Sequence, residues 1–538
     1  MDASVDRRLS GESGFSMFLV IMTLFVTTTF VGAGFAAANG DLPLSGDSRD
    51  RKTAYAAAEA GVNFYQYHLN QDNDYWLKCT NVNPPNLTEE SPVNQKWDGV
   101  SRRVWRKLPG SDSRYTIELL PAPGFTKCEE NKQETMLDPS SGTFRIRVTG
   151  QASEGSPVKR SIVATFRRRS FLDFLYFTEY ETTDPKNYTS ANFTQATNEC
   201  AKKYRALPPA TPGSGGTRTS WCSEIQFVTG DKLNGPLHTD DSMLMCGTPL
   251  FGRNAGDKVE TGQPAPGWVA NPSAACGTTN PTFMSPLQTS ADPLEMPATN
   301  TSLKAVADAN YVFRGATTIV LDATAADSSA MTVTNADKGF VNQTMALPAN
   351  GVVYVENSGT CNPTPPRDAT YPAPPIPGCG DLTVTGSAKK SLTLAAQNDV
   401  IVKPIVGQPD TGLRKAGDAV LGLIAGNFVR VYHKTVSGVN ADPPQNVTID
   451  AAILSLQHSF TVDNFDKGDP LGTLTVNGAI AQLYRGAVGR GSGATITNGF
   501  LKNYWYDDRL KYRTPPFFLE PVSASWHVLK QNEQVPAT

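Results

Sequence analysis

The chain has 538 residues, 48 Lys and Arg against 51 Asp and Glu, and a formal net charge of −3. That length allows two to four domains with sizeable cores, so folding need not depend on a metal or cofactor and none is expected. The near-neutral balance gives no bulk electrostatic case for a nucleic-acid partner. The 45 Gly and 39 Pro, with recurring Thr, Val and Asn, suit short strands joined by turns rather than a helical protein.

The N-terminal segment 1–14 carries three acids against Arg7 and Arg8, and 15–38 carries no charge at all. As a helix, 15–38 reaches about 36 Å at ~1.5 Å per residue, enough for a hydrocarbon core of roughly 30 Å. A secretory signal has a basic start and an apolar stretch of about 7–15 residues, and this segment has neither. The expectation is a transmembrane and assembly helix over 15–38, membrane lipid around it, and a single-pass protein whose large C-terminal part lies outside the cytoplasm at the cell surface. A second, amphipathic helix is predicted over 39–70, where Tyr55, Ala58, Val62, Tyr65 and Leu69 form one apolar stripe. Gly40 and Pro43 predict a break between the two.

Glu12-Ser13-Gly14-Phe15, followed at once by a long apolar helix, resembles the prepilin peptidase site of type IV pilins and pseudopilins. The run from Asp50 to Val62, with its Ala57-Ala58-Glu59-Ala60-Gly61 core, resembles a segment of minor pilins of the PilX type. The resemblance implies a leader over 1–14 cut between Gly14 and Phe15 by prepilin peptidase, methylation as in the family, and a helix retained as assembly stem. Other pilins and the assembly machinery are the implied partners. Pilins usually carry Glu at the fifth mature position, which is Leu19 in this chain. A buried carboxylate needs a partner to offset its desolvation. A subunit without it cannot make that pairing, so the resemblance implies a minor, tip or initiating subunit.

The expected fold is mainly β: a pilin-like helix plus antiparallel sheet, then a parallel β-solenoid, with a β-sandwich as the alternative. Alternating Tyr115–Leu119, Thr143–Val148 and Arg160–Arg167 predict half-buried antiparallel strands of a small domain over 71–168, with 150–157 as a hairpin connection. The basic run Arg167-Arg168-Arg169 reads as a solvated strand end near anionic headgroups, with nucleic acid as the other reading. Over 169–502, strand–Asn/Gly–strand units such as Asp399–Val402, Val420–Val431 and Leu474–Ala481 suggest stacked coils. Stretches 205–220, 262–300 and 360–380 read as inserted loops, and the aromatic segment 503–538 as a cap or strap.

Eight cysteines all follow the apolar segment: Cys79, Cys128, Cys200, Cys222, Cys246, Cys276, Cys361 and Cys379. Pairing neighbours would give four bridges, one of 105 connectivities open to the sequence, in an oxidising compartment. No CxxC, HExxH, G-x-S-x-G or P-loop is present, so catalytic zinc, serine-hydrolase and nucleotide chemistry lack support. Asp463, Asp466 and Asp469 around Gly468 could hold calcium, but a plain Asx-rich turn is the favoured reading and no metal is expected. The function expected is therefore structural, with interactions and without catalysis. Partners would be other pilins and a surface glycan or protein ligand. Two alternatives stand: a membrane-anchored adhesin outside any pilus, and a β-helix polysaccharide-acting enzyme by fold analogy alone.

Overall fold

The computed structural model describes residues 13–77, 93–94, 105–187, 190–203, 222–322, 330–362, 376–405, 412–492 and 495–537, apart from a few positions inside those ranges. In the N-terminal helix, side chains are described at 17–32 and from 47 onward. The chain divides into two compact units: one formed by 1–137, 144–166 and 528–538, the other by 138–143 and 167–527.

The first unit is a helix seated on a sheet. The helix spans Ser13–Gln71, and its backbone stays helical across Gly40 and Pro43, where a break is expected. Its C-terminal turns bury Ala54, Ala57, Ala58, Val62, Tyr65 and Leu69 completely, while Tyr55 is only half-buried. That is the predicted 3–4 spacing, shifted to use three alanines. Small residues bring the backbones together. A Cβ on Gly150 would lie 1.9 Å from the Ala54 carbonyl oxygen, and one on Gly61 would lie 2.5 Å from Val148 Cγ1. The sheet order is 93–94, 114–120, 143–151, 159–168, 526–534, with 106–107 paired to 114–120. Strands Arg114–Leu120, Thr143–Gln151 and Lys159–Arg168 lie where alternation placed them. Under the helix, Tyr65, Phe144 and Phe166 meet edge-on or stacked, and Trp76 lies flat on Phe144 at 5.5 Å. Each such buried side chain is worth about 1.5–3 kcal/mol of transfer free energy.

The single-pass membrane placement is corrected. Among the described residues no helix is long and apolar enough to cross a membrane. Within the apolar stretch, side chains are described for Met17–Gly32. This stretch also contains Thr23, Thr27, Thr28 and Thr29, whose hydroxyls donate back to carbonyls one turn earlier.

The second unit is built from parallel ladders. One circuit of chain runs through Leu392–Ala396, Val400–Val402 and Gly412–Lys415. The next runs through Leu421–Ala425, Val429–Val431 and Val447–Ile449. Leu392 lies beside Leu421 and Gly422 beside Ala452, so a circuit takes about 30 residues. Equivalent side chains therefore stack in columns. Leu394, Leu423, Ile453 and Ile480 form one, Val400, Val429 and Phe460 a second, and Leu413, Ile449 and Val476 a third. All ten are buried. The near-continuous apolar strands follow from this, since both strand faces are covered.

The chain enters this stack in its middle. Strand Tyr176–Thr183 pairs with Pro470–Arg485 on one side and with Leu237–Thr239 on the other, and Val259–Thr261 comes next. Residues 262–288 add a further rung at that end, with Trp268–Ala270 beside Met243–Cys246 and Thr282–Phe283 beside Leu250–Phe251, and 289–311 carry the chain to the opposite end, where Val312–Arg314 pairs with Val352–Glu356. The stretch 262–300, expected as an inserted loop, is thus a paired rung followed by the start of a crossing strap. Leu294, Met296 and Leu303 are buried, and Asn300 Nδ2 donates to the Ala396 carbonyl at 2.6 Å. The segment 503–538 is not one cap. Tyr504 and Trp505 pair within the ladder beside Leu233 and Asn234. Pro515–Phe518 lies over Gly351, Thr393 and Gly422, and 526–534 belongs to the first unit's sheet.

Candidate functional site

The processing positions Gly14 and Phe15 fall in helical backbone whose side chains lie outside the described residues. Leu19 is 53% exposed, in a row of uncovered apolar side chains from Met17 to Val31. Cys200–Cys222, Cys246–Cys276 and Cys361–Cys379 are bridged. Cys128 is disulfide-bonded as well, and Cys79 lies outside the described residues.

The calcium reading of Asp463, Asp466 and Asp469 is corrected. Both oxygens of Asp463 lie 2.9 Å from Arg430 Nη1, and Arg430 Nε donates to Asp399 at 2.9 Å. All three side chains are buried, and a guanidinium on the Asp463 carboxylate leaves no ligand for a cation. Among the described residues no three His, Cys, Asp or Glu side chains converge as a metal site. Burial pushes Asp463 up to about 6 against the pull of Arg430. Asp381, at the end of the same column and beside Asp399, is also pushed up to about 6 by burial.

The basic run is corrected too. Arg167 is buried, lying 3.2 Å from Asp173 and donating to the Lys511 carbonyl at 2.6 Å. Arg168 stacks over Trp526, and Arg169 pairs with Glu260. These cations tie the unit internally and present no basic patch. His238 sits in the same region with Asp240 at 2.8 Å from Nε2 and Glu260 at 3.1 Å from Nδ1. Burial pushes its pKa down, and its imidazole is closed to solvent. It clamps neighbouring rungs, since Phe177, His238 and Glu260 are adjacent across the ladder.

Among the described residues, two open depressions of the second unit are the roomiest. The larger, about 780 Å³, has mixed charge: Arg490 and Lys502 face Glu224, Asp231 and Asp466. The other, about 540 Å³, is lined mainly by amides and hydroxyls. Asn357, Asn398, Asn427 and Gln457 each stand two residues beyond one column, Val355, Ala396, Ala425 and Ser455, so they repeat from rung to rung. Asn398 spends both ends of its amide on the fold, donating to Asp381 and accepting from Asn427, while the other three spend one end each. Asn357 Oδ1 accepts from Gly380 N–H at 2.7 Å, Asn427 Nδ2 donates to Asn398 Oδ1, and Gln457 Nε2 donates to the Ala298 carbonyl at 3.2 Å. Gln397 Oε1 accepts from Asn357 N–H at 2.9 Å. Helix Ser190–Cys200 walls the groove with Phe193 and Thr197, and the Cys200–Cys222 bridge fixes its end. At the groove's end His458 stacks on Phe428 at 4.5 Å, with Nδ1 3.1 Å from Asp184. Ser459 Oγ donates to the same carboxylate at 2.7 Å rather than to the imidazole, so the three do not form a nucleophile relay.

Sequence reading missed the amide row. Single Asn and Gln residues in turns look alike, and only the registers show that these four share a face. The Arg430 column was equally hidden, because its acids lie about 30 residues to either side.

No protein-family model matches the chain, and no curated protein matches it. Among solved structures, the competence-associated pilin ComZ from Thermus thermophilus is similar to it at 11% identity, over 91% of this chain and 98% of that one. The TM-score is 0.26, too loose a superposition to carry any argument about fold or role.

Proposed function

We propose that this chain is a minor, pilin-like subunit of a type IV pilus or a related secretion or competence filament, with a structural and interaction role and no catalysis of its own. One observation carries the reading: an uncovered apolar helix, Met17–Val31, belongs to the same helix that seats its last turns on an antiparallel sheet through Gly61 and Gly150. Apolar side chains in such a row call for a cover, and helices of other pilins supply one of matching shape. Leu19 in place of the usual Glu supports a tip or initiating position over a repeating one. The parallel registers at intervals of about 30 residues support a β-solenoid over a sandwich for the second unit. Three bridged cysteine pairs support an oxidising compartment.

Prepilin peptidase would cut between Gly14 and Phe15. N-terminal sequencing of the native protein is expected to begin at Phe15, and Gly14→Val to leave the longer precursor. In cells, Phe25→Glu is expected to abolish recovery of the chain with sheared filaments while its total amount stays unchanged. A native N-terminus well beyond Ala38, or undiminished recovery of Phe25→Glu, would refute the proposal.

A further inference from the structure

We propose that the amide-lined groove of the second unit binds a neutral, extended glycan chain. This goes beyond the filament role and does not depend on it.

The first ground is the set of polar atoms left over. After the bonds to the fold, Asn357 Nδ2, Gln397 Nε2, Asn427 Oδ1, Gln457 Oε1 and His458 Nε2 keep no partner among the described residues. Donors and acceptors are both represented. A sugar hydroxyl is donor and acceptor at once and can satisfy either kind. Because each amide is held at its other end, its free end is already aimed, which lowers the entropy lost on binding.

The second ground is spacing. The amides sit on successive rungs of a parallel ladder, about 4.8 Å apart. That step is close to the length of one pyranose ring in an extended β-linked chain, so consecutive sugars meet successive rungs, Gln397 serving at the rung where Asn398 is fully bonded. The groove is about 540 Å³, room for several rings.

The third ground is charge. Among the described residues the lining contains no carboxylate; Asp184 lies behind His458 and is fully buried. Among the described lining residues Lys186 is the one lysine or arginine, and its ammonium sits 4.0 Å over the Phe193 ring. An anionic chain would meet one cation, already engaged with a ring. An extended peptide would need apolar recesses for alternate side chains. The lining offers instead hydroxyls, amides and the rings of Phe193 and Tyr484, against which the C–H face of a sugar can lie.

The test uses the full chain in calorimetric titrations with cellohexaose, xylohexaose and chitohexaose, and with hexagalacturonate and hexaglycine as anionic and peptide controls. At least one neutral hexasaccharide is expected to bind with submillimolar Kd and more tightly than both controls. Gln457→Ala and Phe193→Ala are each expected to weaken it at least tenfold with the circular dichroism unchanged. Lys186→Gln is expected to change it less than twofold. If a variant proves unfolded, transferred-saturation NMR on the wild-type chain replaces it, with ligand protons expected to receive magnetisation from Phe193 and Tyr484. The proposal is overturned if no neutral hexasaccharide binds, if either control binds more tightly, or if the folded Gln457→Ala and Phe193→Ala chains bind like wild type.

Discussion

Replacing Gly150 by alanine is expected to destabilise the first unit by about 3 kcal/mol, near the upper end of overpacking costs. The new Cβ would lie 1.9 Å from the Ala54 carbonyl oxygen and 2.6 Å from the Ala58 amide nitrogen. Both obstacles are backbone atoms of a helix turn, so no rotamer change relieves them. The helix has to lift from the sheet, and Val62, Tyr65 and Leu69 lose their contacts together. Gly61→Ala tests the same contact from the other side at lower cost. Its Cβ meets side-chain atoms of Val148 and Tyr115 at 2.5 and 2.6 Å, which can shift. Alanine also gains roughly 1 kcal/mol of helix propensity over glycine. Amide hydrogen exchange across 54–69 reads the difference. Protection in Gly150→Ala equal to wild type would show that the helix does not press on the sheet as described.

The second large effect is expected at Arg430. Arg430→Met leaves Asp463 and Asp399 buried without their cation and should cost about 3–5 kcal/mol at pH 7. Its pH dependence has a definite sign. Asp463 and Asp381 titrate near 6 folded, against a normal value of 3.8. Between those values the folded state holds more protons than the unfolded one, so their contribution is complete below about 4 and fades as pH rises through 6. Without the guanidinium the Asp463 carboxyl shifts further up, so acid should rescue the variant more than wild type. Urea midpoints at pH 5 and pH 7 measure this. Adding Asp463→Asn should recover part of the loss at pH 7. A variant equally weakened at both pH values, with no rescue by Asp463→Asn, would contradict the account.

The elements were legible in the sequence wherever pattern is local. Tyr115–Leu119, Thr143–Val148 and Arg160–Arg167 alternate apolar and polar side chains, and the strands are there, though in Tyr115–Leu119 the polar Thr116 and Glu118 are buried as well. The Ala-rich stripe could be read because helix periodicity needs only the next turn. What could not be read depends on partners far along the chain. Arg167 looks like a surface cation until Lys511 and Asp173 surround it. Asp463 looks like a cation ligand until Arg430, 33 positions earlier, takes its oxygens. Pro515–Phe518 looks like a tail, and only the gap above Gly422 shows where it goes. The apolar N-terminal stretch gave the opposite error: a count of uncharged residues predicted a span, whereas among the described residues no helix is long and apolar enough to be one.

The central position of strand Tyr176–Thr183 governs how the protein can be made. During synthesis this strand leaves the ribosome early, but its neighbour Pro470–Arg485 follows almost 300 residues later. Until then one of its edges stays unpaired, an invitation to aggregate or to recruit a chaperone. Such distant pairing also slows the search for the native state. A nascent chain stalled before Pro470 should therefore stay protease-sensitive over 176–183, and one released beyond Tyr506 should become resistant there. The unit is completed from its middle, like an arch waiting for its keystone.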